Sequence, residues 1–332
     1  MSKTRDGGNL HALSNTEMVP AAPEQPLQLN KSLIAAKKRN KREYITNKRV
    51  VPWLFLLPGI LATLLLKYVT IGTSVTWSFF NVTVQDMPGE FVGLQNYINL
   101  FTAPDFGITF GNTLVYLGLT LLLCFLVPII QAVILNEIRS KKLKNWFSTL
   151  YILPAVIPGT VIIVIWRWIW NPEYGVANYI FGLFGLENQA WLSDPELVKL
   201  CIVIPGILGG GLSVLLYYAA ILGVPKDIYE AAELDGCSGW KKVRYIILPN
   251  IKFIILVQLI MTVIGTFQIM DVIFQFTNGG PAGASNSLGL NIYKLFNEQF
   301  QYGQGSALST VLLLIIAIIT LIQLKVSKTD AD

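Results

Sequence analysis

Six long apolar runs, separated by polar and charged stretches, set the pattern of the 332-residue chain: Val51–Gly72, Thr113–Leu135, Ser148–Trp170, Leu200–Leu222, Ile251–Asp271 and Ala307–Leu324. A helix needs about 20 apolar residues to cross roughly 30 Å of hydrocarbon, so the pattern predicts an all-α membrane protein with six spans. Composition agrees, because only 14% of residues are charged where soluble domains carry about 25%.

The connecting segments alternate in charge. Residues 31–49 hold eight Lys or Arg, 136–147 four, 223–252 five and the tail after Leu324 two, whereas 73–112 hold none and 171–199 and 272–306 one each, Lys199 and Lys294. Basic loops are retained in the cytoplasm, which places both termini and the 223–252 loop there. Residues 1–30 are rich in Pro, Gln, Ser and Asn and are expected to be disordered. The expected organisation is a basic, largely disordered tail over 1–49, a membrane domain over 50–325 and a short cytoplasmic tail over 326–332. The 31–49 segment serves either to set topology, with an amphipathic lead-in helix, or to bind anionic headgroups. No cleavable leader is indicated, since the first apolar run starts late and lacks a small-residue cleavage site.

Details within the spans sharpen the picture. Pro52, Pro58 and Lys67 predict a kink or an early end in the first span, with a helix continuing over 68–80. "IWRWIWNP" (Ile165–Pro172) puts Trp166, Trp168 and Trp170 at the outer interface, with Arg167 either snorkelling to headgroups or meeting substrate. Gly209–Gly211 allow close helix packing or loosen the fourth span. In the fifth, Gln258, Thr262, Gly265 and Thr266 form one helical stripe that must face other helices or a water-filled cavity. Cys124, Cys201 and Cys237 have neither metal nor disulfide spacing, and His11 lies alone in the polar tail.

The charged stretch before the fifth span has its own order. "PKDIYEAAEL" (Pro225–Leu234) reads as a short helix with Pro225 in its first position, acids toward its N-terminal half, and Ile228, Ala231 and Ala232 on one face. Gly236 supplies a turn needing φ > 0. A second helical stretch shows Trp240, Val243, Ile246 and Ile247 on one side, and Leu248–Pro249 mark a break before the fifth span. The predicted unit is helix, glycine turn, helix across the cytoplasmic face, either docking another protein or lying in the interface.

"EAAELDGCSGWKKVRYIILP" (Glu230–Pro249) resembles the EAA loop of permease subunits of binding-protein-dependent ABC importers. Glu230, Ala231, Ala232, Asp235, Gly236, Trp240, Ile246, Leu248 and Pro249 match; Cys237, Val243 and Phe253 depart from the usual Ala, Phe and Pro. "FVGLQNY" (Phe91–Tyr97), "NTLVY" (Asn112–Tyr116), Leu150–Asn178 and "FQFTNGGPAGASNSLGLNIYKLFNEQFQYGQGSALS" (Phe274–Ser309) are similar to the sugar branch of that family, of the maltose-type, F-like kind. The resemblance covers about residues 50–325 and implies the corresponding permease fold, with residues 225–249 as the loop that couples to a separate ATPase.

It also implies partners. These are a second, related permease in a heterodimer, two ATP-binding subunits, an extracytoplasmic solute-binding protein received by the 73–112 and 272–306 loops, and a carbohydrate, in a prokaryotic cytoplasmic membrane. The chain lacks G-x-x-x-x-G-K-[ST], so ATP and Mg are expected on the partner ATPase, no cofactor on this chain, and no nucleic acid. Ser213, Tyr217, Gln258, Thr262 and Thr266 are the candidate substrate contacts. The implied substrate is a di- or oligosaccharide, with a polyol or glycerophosphodiester as the alternative. Scarce Lys and Arg in the spans speak against a strongly anionic one. A membrane-embedded enzyme would want a cluster of carboxylates, histidines or cysteines at one depth, where the chain has only scattered Asp86, Asp105 and Asp271. An ATP-independent channel or carrier would want intramembrane charges or paired interrupted helices.

Overall fold

The structure is a computed structural model describing the backbone of residues 26–329 and the side chains of 33–38 and 51–325. His11 and most of the segment expected to be disordered lie outside the described residues. The chain divides into two compact units, one up to Val69 and one from Thr70 onward.

In the first unit, α1 (Pro26–Thr63) begins inside the stretch whose composition suggested disorder and runs through the basic segment into the apolar run. Pro52 and Pro58 lie within it, and a π-helical turn follows at Leu64–Val69, containing Lys67. The segment Val51–Trp77, 27 residues, is long and apolar enough to span a membrane, longer than the expected Val51–Gly72.

The second unit opens with α2 (Thr70–Trp77), a two-stranded ribbon pairing Phe80–Asn81 with Glu90–Phe91, and α3 (Gln95–Thr102). The second span joins α4 (Pro104–Thr120) to α5 (Leu126–Glu137) through a π turn at Leu121–Phe125. Its 34 residues exceed the expected 113–135. Pro128, which cannot donate to the ladder, follows this turn closely, where a widened ladder tolerates a missing N–H.

Among the described residues three helices are long and apolar enough to cross a membrane by themselves; the third, fourth and fifth apolar runs are each a bent pair of helices, which brings the total to six if each pair is one span. The third combines α6 (Lys141–Val156) and α7 (Gly159–Ile169), which meet at 97° around Ile157–Pro158. The loop after it carries α8 (Val176–Leu183). The fourth combines α9 (Val198–Val203), α10 (Pro205–Gly209) and α11 (Gly211–Leu222), with a 47° bend. Its glycines serve close packing: a Cβ on Gly211 would overlap the Tyr151 carbonyl oxygen of α6, and one on Gly206 would meet the Cys124 sulfur. Gly211→Ala should therefore destabilise the purified protein by about 1–3 kcal/mol, the usual cost of overpacking, read as a lower thermal midpoint in detergent; an unchanged midpoint would mean that these helices can separate freely.

After α12 (Lys226–Leu234) come α13 (Trp240–Lys242), a π turn at Val243–Ile247 and α14 (Leu248–Asn250). The expected break at Leu248–Pro249 is displaced: the chain turns by 72° at Ile251, where α15 (Lys252–Phe267) begins. The wide turn preceding Pro249 again accommodates a residue without an N–H. The fifth span ends at Phe267 rather than Asp271, which instead opens α16 (Asp271–Thr277). Next come α17 (Leu288–Asn297) and α18 (Tyr302–Thr329), whose residues Tyr302–Lys325 form the last span.

Three apolar clusters organise the second unit. One gathers Tyr116, Trp170, Trp191, Cys201 and Ile273; a second gathers Phe125, Ala132, Tyr217, Ile247 and Ile251; a third gathers Val263, Phe267, Leu288 and Leu308. Two of the expected interfacial tryptophans belong to the first cluster. Trp170 is buried and Trp166 half-buried, with ring centroids 5.3 Å apart, and only Trp168 stays exposed. A ladder of rings runs on from Trp170 to Trp191 at 5.2 Å and to Phe181 at 4.8 Å, and burying such rings outweighs an interfacial position for one N–H.

Candidate coupling hairpin and permeation path

The basic end of the bundle carries a hairpin over residues 225–249. Pro225 precedes the first helical residue, Lys226, so it caps α12 rather than occupying its first position. Asp227 stands in the first turn, where a negative charge meets the positive end of the helix dipole. Gly236 has φ +69 and Gly239 φ +57, conformations that a residue with a β-carbon rarely adopts.

The two arms meet across a shallow hollow of about 500 Å³, walled by Ile228, Ala231, Ala232, Cys237 and Ile246 with Asp227 and Asp235 at its edge. Around it Leu234 is 90% and Trp240 72% exposed. The expectation that Trp240 shares a face with Ile246 and Ile247 is corrected: Ile247 is buried in the second cluster and Ile246 beneath the hollow, while Trp240 is exposed. Glu230, Ala231, Asp235, Gly236, Trp240 and Pro249 are exposed; Ala232 and Leu248 are half-buried. An exposed apolar rim with acidic edges on an ordered hairpin has the chemistry of a protein docking surface.

An ion pair ties the hairpin to the bundle, and sequence reasoning missed it and the contacts around it. Lys242 forms an ion pair with Glu137 at the end of α5, 3.1 Å apart, across 105 positions of chain. Its Nζ also lies 5.1 Å from the Tyr229 ring centre. Burial, and then the Glu137 carboxylate, push the Tyr229 phenol above its usual range. Nearby, Lys144 donates to the Asn136 carbonyl at 3.0 Å. Only the placement of charge at span ends hinted at these contacts. Because Glu137 is half exposed, Glu137→Gln should cost less than about 1 kcal/mol of stability but loosen the hairpin. Limited trypsin digestion should then cut faster after Lys241 and Lys242; an unchanged rate would show that the ion pair does not hold it.

The five proposed substrate contacts fall into two groups. Gln258 Nε2 donates to Ser213 Oγ at 3.1 Å, so spans four and five meet through half-buried polar groups. Tyr217, 1% exposed, packs into the second cluster, and Thr266 donates to the Thr262 carbonyl at 2.8 Å. Tyr217 and Thr266 therefore point into this chain's own core, while Ser213, Gln258 and Thr262 remain partly accessible.

At the opposite end, the 278–287 loop is clamped by carbonyl contacts. Asn112 donates to the Gly283 and Asn286 carbonyls at 3.0 Å each, Tyr116 to Ser285 at 3.0 Å, Lys199 to Ala284 at 2.9 Å and Lys294 to Asn278 at 2.8 Å. The two lone lysines of these loops thus serve as internal braces. Asn178 anchors the 171–191 segment: its amide donates to the Pro172 and Gln189 carbonyls, and its oxygen accepts from the Gln189 N–H and Trp191 Nε1, all within 2.8–3.0 Å. Loops braced at one end, an exposed hairpin at the other and bent apolar helices between them fit a transport subunit.

The comparisons with known proteins agree. Residues 129–328 match the binding-protein-dependent transport system inner membrane components, and the chain belongs to that family. It is 32% identical to a Bacillus subtilis protein named Probable ABC transporter permease protein YurN, over 87% of this chain and 99% of that one. It is 31% identical to the arabinooligosaccharides transport system permease protein AraP of the same species, over 88% and 93%. Among solved structures, a bacterial ABC transporter involved in import of the acidic polysaccharide alginate has a chain that superposes with a TM-score of 0.77 at 25% identity, over 87% of this chain and 99% of that one. The protein is thus a membrane-embedded permease component of an ABC importer, with ATP hydrolysis carried by a separate subunit.

Proposed function

We propose that this permease imports an oligosaccharide and that the 225–249 hairpin is its coupling element. The observation that carries the coupling role is the hairpin's exposed apolar and acidic rim on a base tied to α5. The carbohydrate assignment is supported by relatives named for sugars, among them AraP and the trehalose/maltose permease MalF of Thermococcus litoralis. It is also supported by the solved alginate transporter in complex with a pentasaccharide-bound periplasmic protein.

In this reading a heterodimer of permeases sits on two ATPases, which bind the ATP and Mg, and a solute-binding protein delivers sugar to the clamped loops. Both termini and the hairpin face the cytoplasm, a reading supported by the distribution of basic residues. Closure of the ATPases pushes the hairpin, and the bent spans swing between inward-facing and outward-facing arrangements as rigid bodies. Ser213 and Gln258 offer a hydroxyl and an amide to sugar hydroxyls once their mutual hydrogen bond is exchanged. The test is ATP hydrolysis by the assembled complex in lipid discs, with its binding protein and a panel of saccharides, polyols and glycerophosphodiesters. Stimulation by saccharides alone supports the assignment, and stimulation by a polyol or glycerophosphodiester replaces it.

Gln258→Ala should raise the half-saturating sugar concentration in uptake about threefold to tenfold, the loss of one or two hydrogen bonds. Unchanged uptake would remove Gln258 from the path.

A further inference from the structure

Arg167 is the exception among the cations of the clamped end. Lys199 and Lys294 are used on carbonyls, whereas Arg167, at the last turn of α7, is exposed and has no ion-pair partner among the described residues. It lines two hollows. One, of about 660 Å³, is bounded by Val164, Ile165, Trp168, Asn171 and Tyr174. The other, of about 350 Å³, is bounded by Leu192, Ser193, Phe276, Thr277, Gly280 and Pro281. Both volumes fall within the usual range of ligand pockets, about 300–1,000 Å³.

The walls select for one kind of ligand. Trp168 and Tyr174 are 58% and 61% exposed, with ring centres 6.2 Å apart, giving two accessible aromatic faces beside the guanidinium. The Asn171 oxygen is occupied by the Glu173 and Tyr174 backbone N–H groups, which leaves its NH₂ as the group able to donate outward. No carboxylate lines either hollow. Aromatic faces suit the C–H faces of pyranose rings, the exposed Ser193 hydroxyl suits sugar hydroxyls while Thr277 Oγ1, bonded to Ser285 Oγ at 2.7 Å, can only accept from one, and an unneutralised guanidinium suits a carboxylate through its planar fork.

We propose, resting on the carbohydrate-import reading, that Arg167, Trp168, Asn171 and Tyr174 form an entry subsite for a carboxylate-bearing oligosaccharide, which contacts it before reaching the spans. An anionic lipid would satisfy Arg167 as well, but the accessible wall of the second hollow is mostly polar although Leu192 and Phe276 contribute to it, which favours a hydroxylated ligand over an acyl chain. The scarcity of cations in the spans stands; the charge that selects the ligand sits where one of them ends.

The assembled importer in lipid discs, as wild type, Arg167→Gln and Trp168→Ala, tests this by saturation-transfer NMR with a tetragalacturonate and with a neutral maltotetraose. Both positions are exposed, so the variants should fold. Arg167→Gln should weaken tetragalacturonate binding about tenfold to a hundredfold, the loss of a charged hydrogen-bonded pair, and leave maltotetraose unchanged; Trp168→Ala should weaken both. Equal binding by wild type and Arg167→Gln overturns the subsite, as does loss of a co-purifying anionic lipid in the variant with saccharide binding intact. Saccharide-stimulated ATP hydrolysis is followed in parallel. If wild type is stimulated by neutral saccharides and Arg167→Gln matches it throughout, the subsite falls and the import reading stands. If no saccharide stimulates wild type, both fall.

Discussion

Gly236→Pro should leave the chain inserted in the membrane and abolish ATP-driven uptake. Proline holds φ near −65°, whereas Gly236 sits at +69 and its N–H donates to the Glu233 carbonyl at 3.1 Å. The substitution forbids the turn and removes that bond, so the arms carrying Leu234 and Trp240 can no longer face one partner. No atom lies near the absent β-carbon, so the defect is one of backbone conformation, and Gly236→Ala should lose only part of the activity. Glu230→Lys tests the same surface by charge: it reverses one exposed acid of α12 and should reduce co-purification of the ATPase at least about tenfold, the loss of one good charged contact. Uptake at wild-type rates in either Gly236→Pro or Glu230→Lys would end the coupling assignment, because a segment that transmits force could tolerate neither change.

The second large effect is expected at Asn178. Asn178→Ala removes four hydrogen bonds at once and leaves the buried Trp191 Nε1–H without its acceptor. Each buried group left unsatisfied costs about 1–3 kcal/mol, so the total should exceed about 3 kcal/mol, seen as a large drop in thermal midpoint. The Trp170–Trp191–Phe181 ladder rests on this anchor, so indole emission should shift to the red as Trp191 becomes hydrated. A variant with the wild-type midpoint and emission would mean that ring packing alone holds the 171–191 segment.

Much of this was legible in the chain. Apolar run length located the spans, since the thickness of hydrocarbon imposes a minimum length on every crossing helix. The glycine and acid spacing of 225–249 specified a hairpin, because Gly236 relieves a local steric restriction that no distant contact can remove. Span ends were less legible. Asp271 reads as the close of an apolar run, yet the backbone turns at Phe267, and Pro249 reads as a stop that a π turn absorbs.

Sequence by itself determined the membrane class, the positions of the apolar runs, the glycine turn at Gly236 and the family resemblance, all of which follow from local chemistry repeated along one chain. Tertiary structure alone decided what became of individual polar groups. It paired Lys242 with Glu137, turned Lys199 and Lys294 into braces for one loop, joined Ser213 to Gln258, and sent Trp170 inward and Trp240 outward. The physical reason is that a hydrogen bond or ion pair depends on distance in space, and residues 105 or 171 positions apart carry no mark in the linear pattern of the neighbour each will meet.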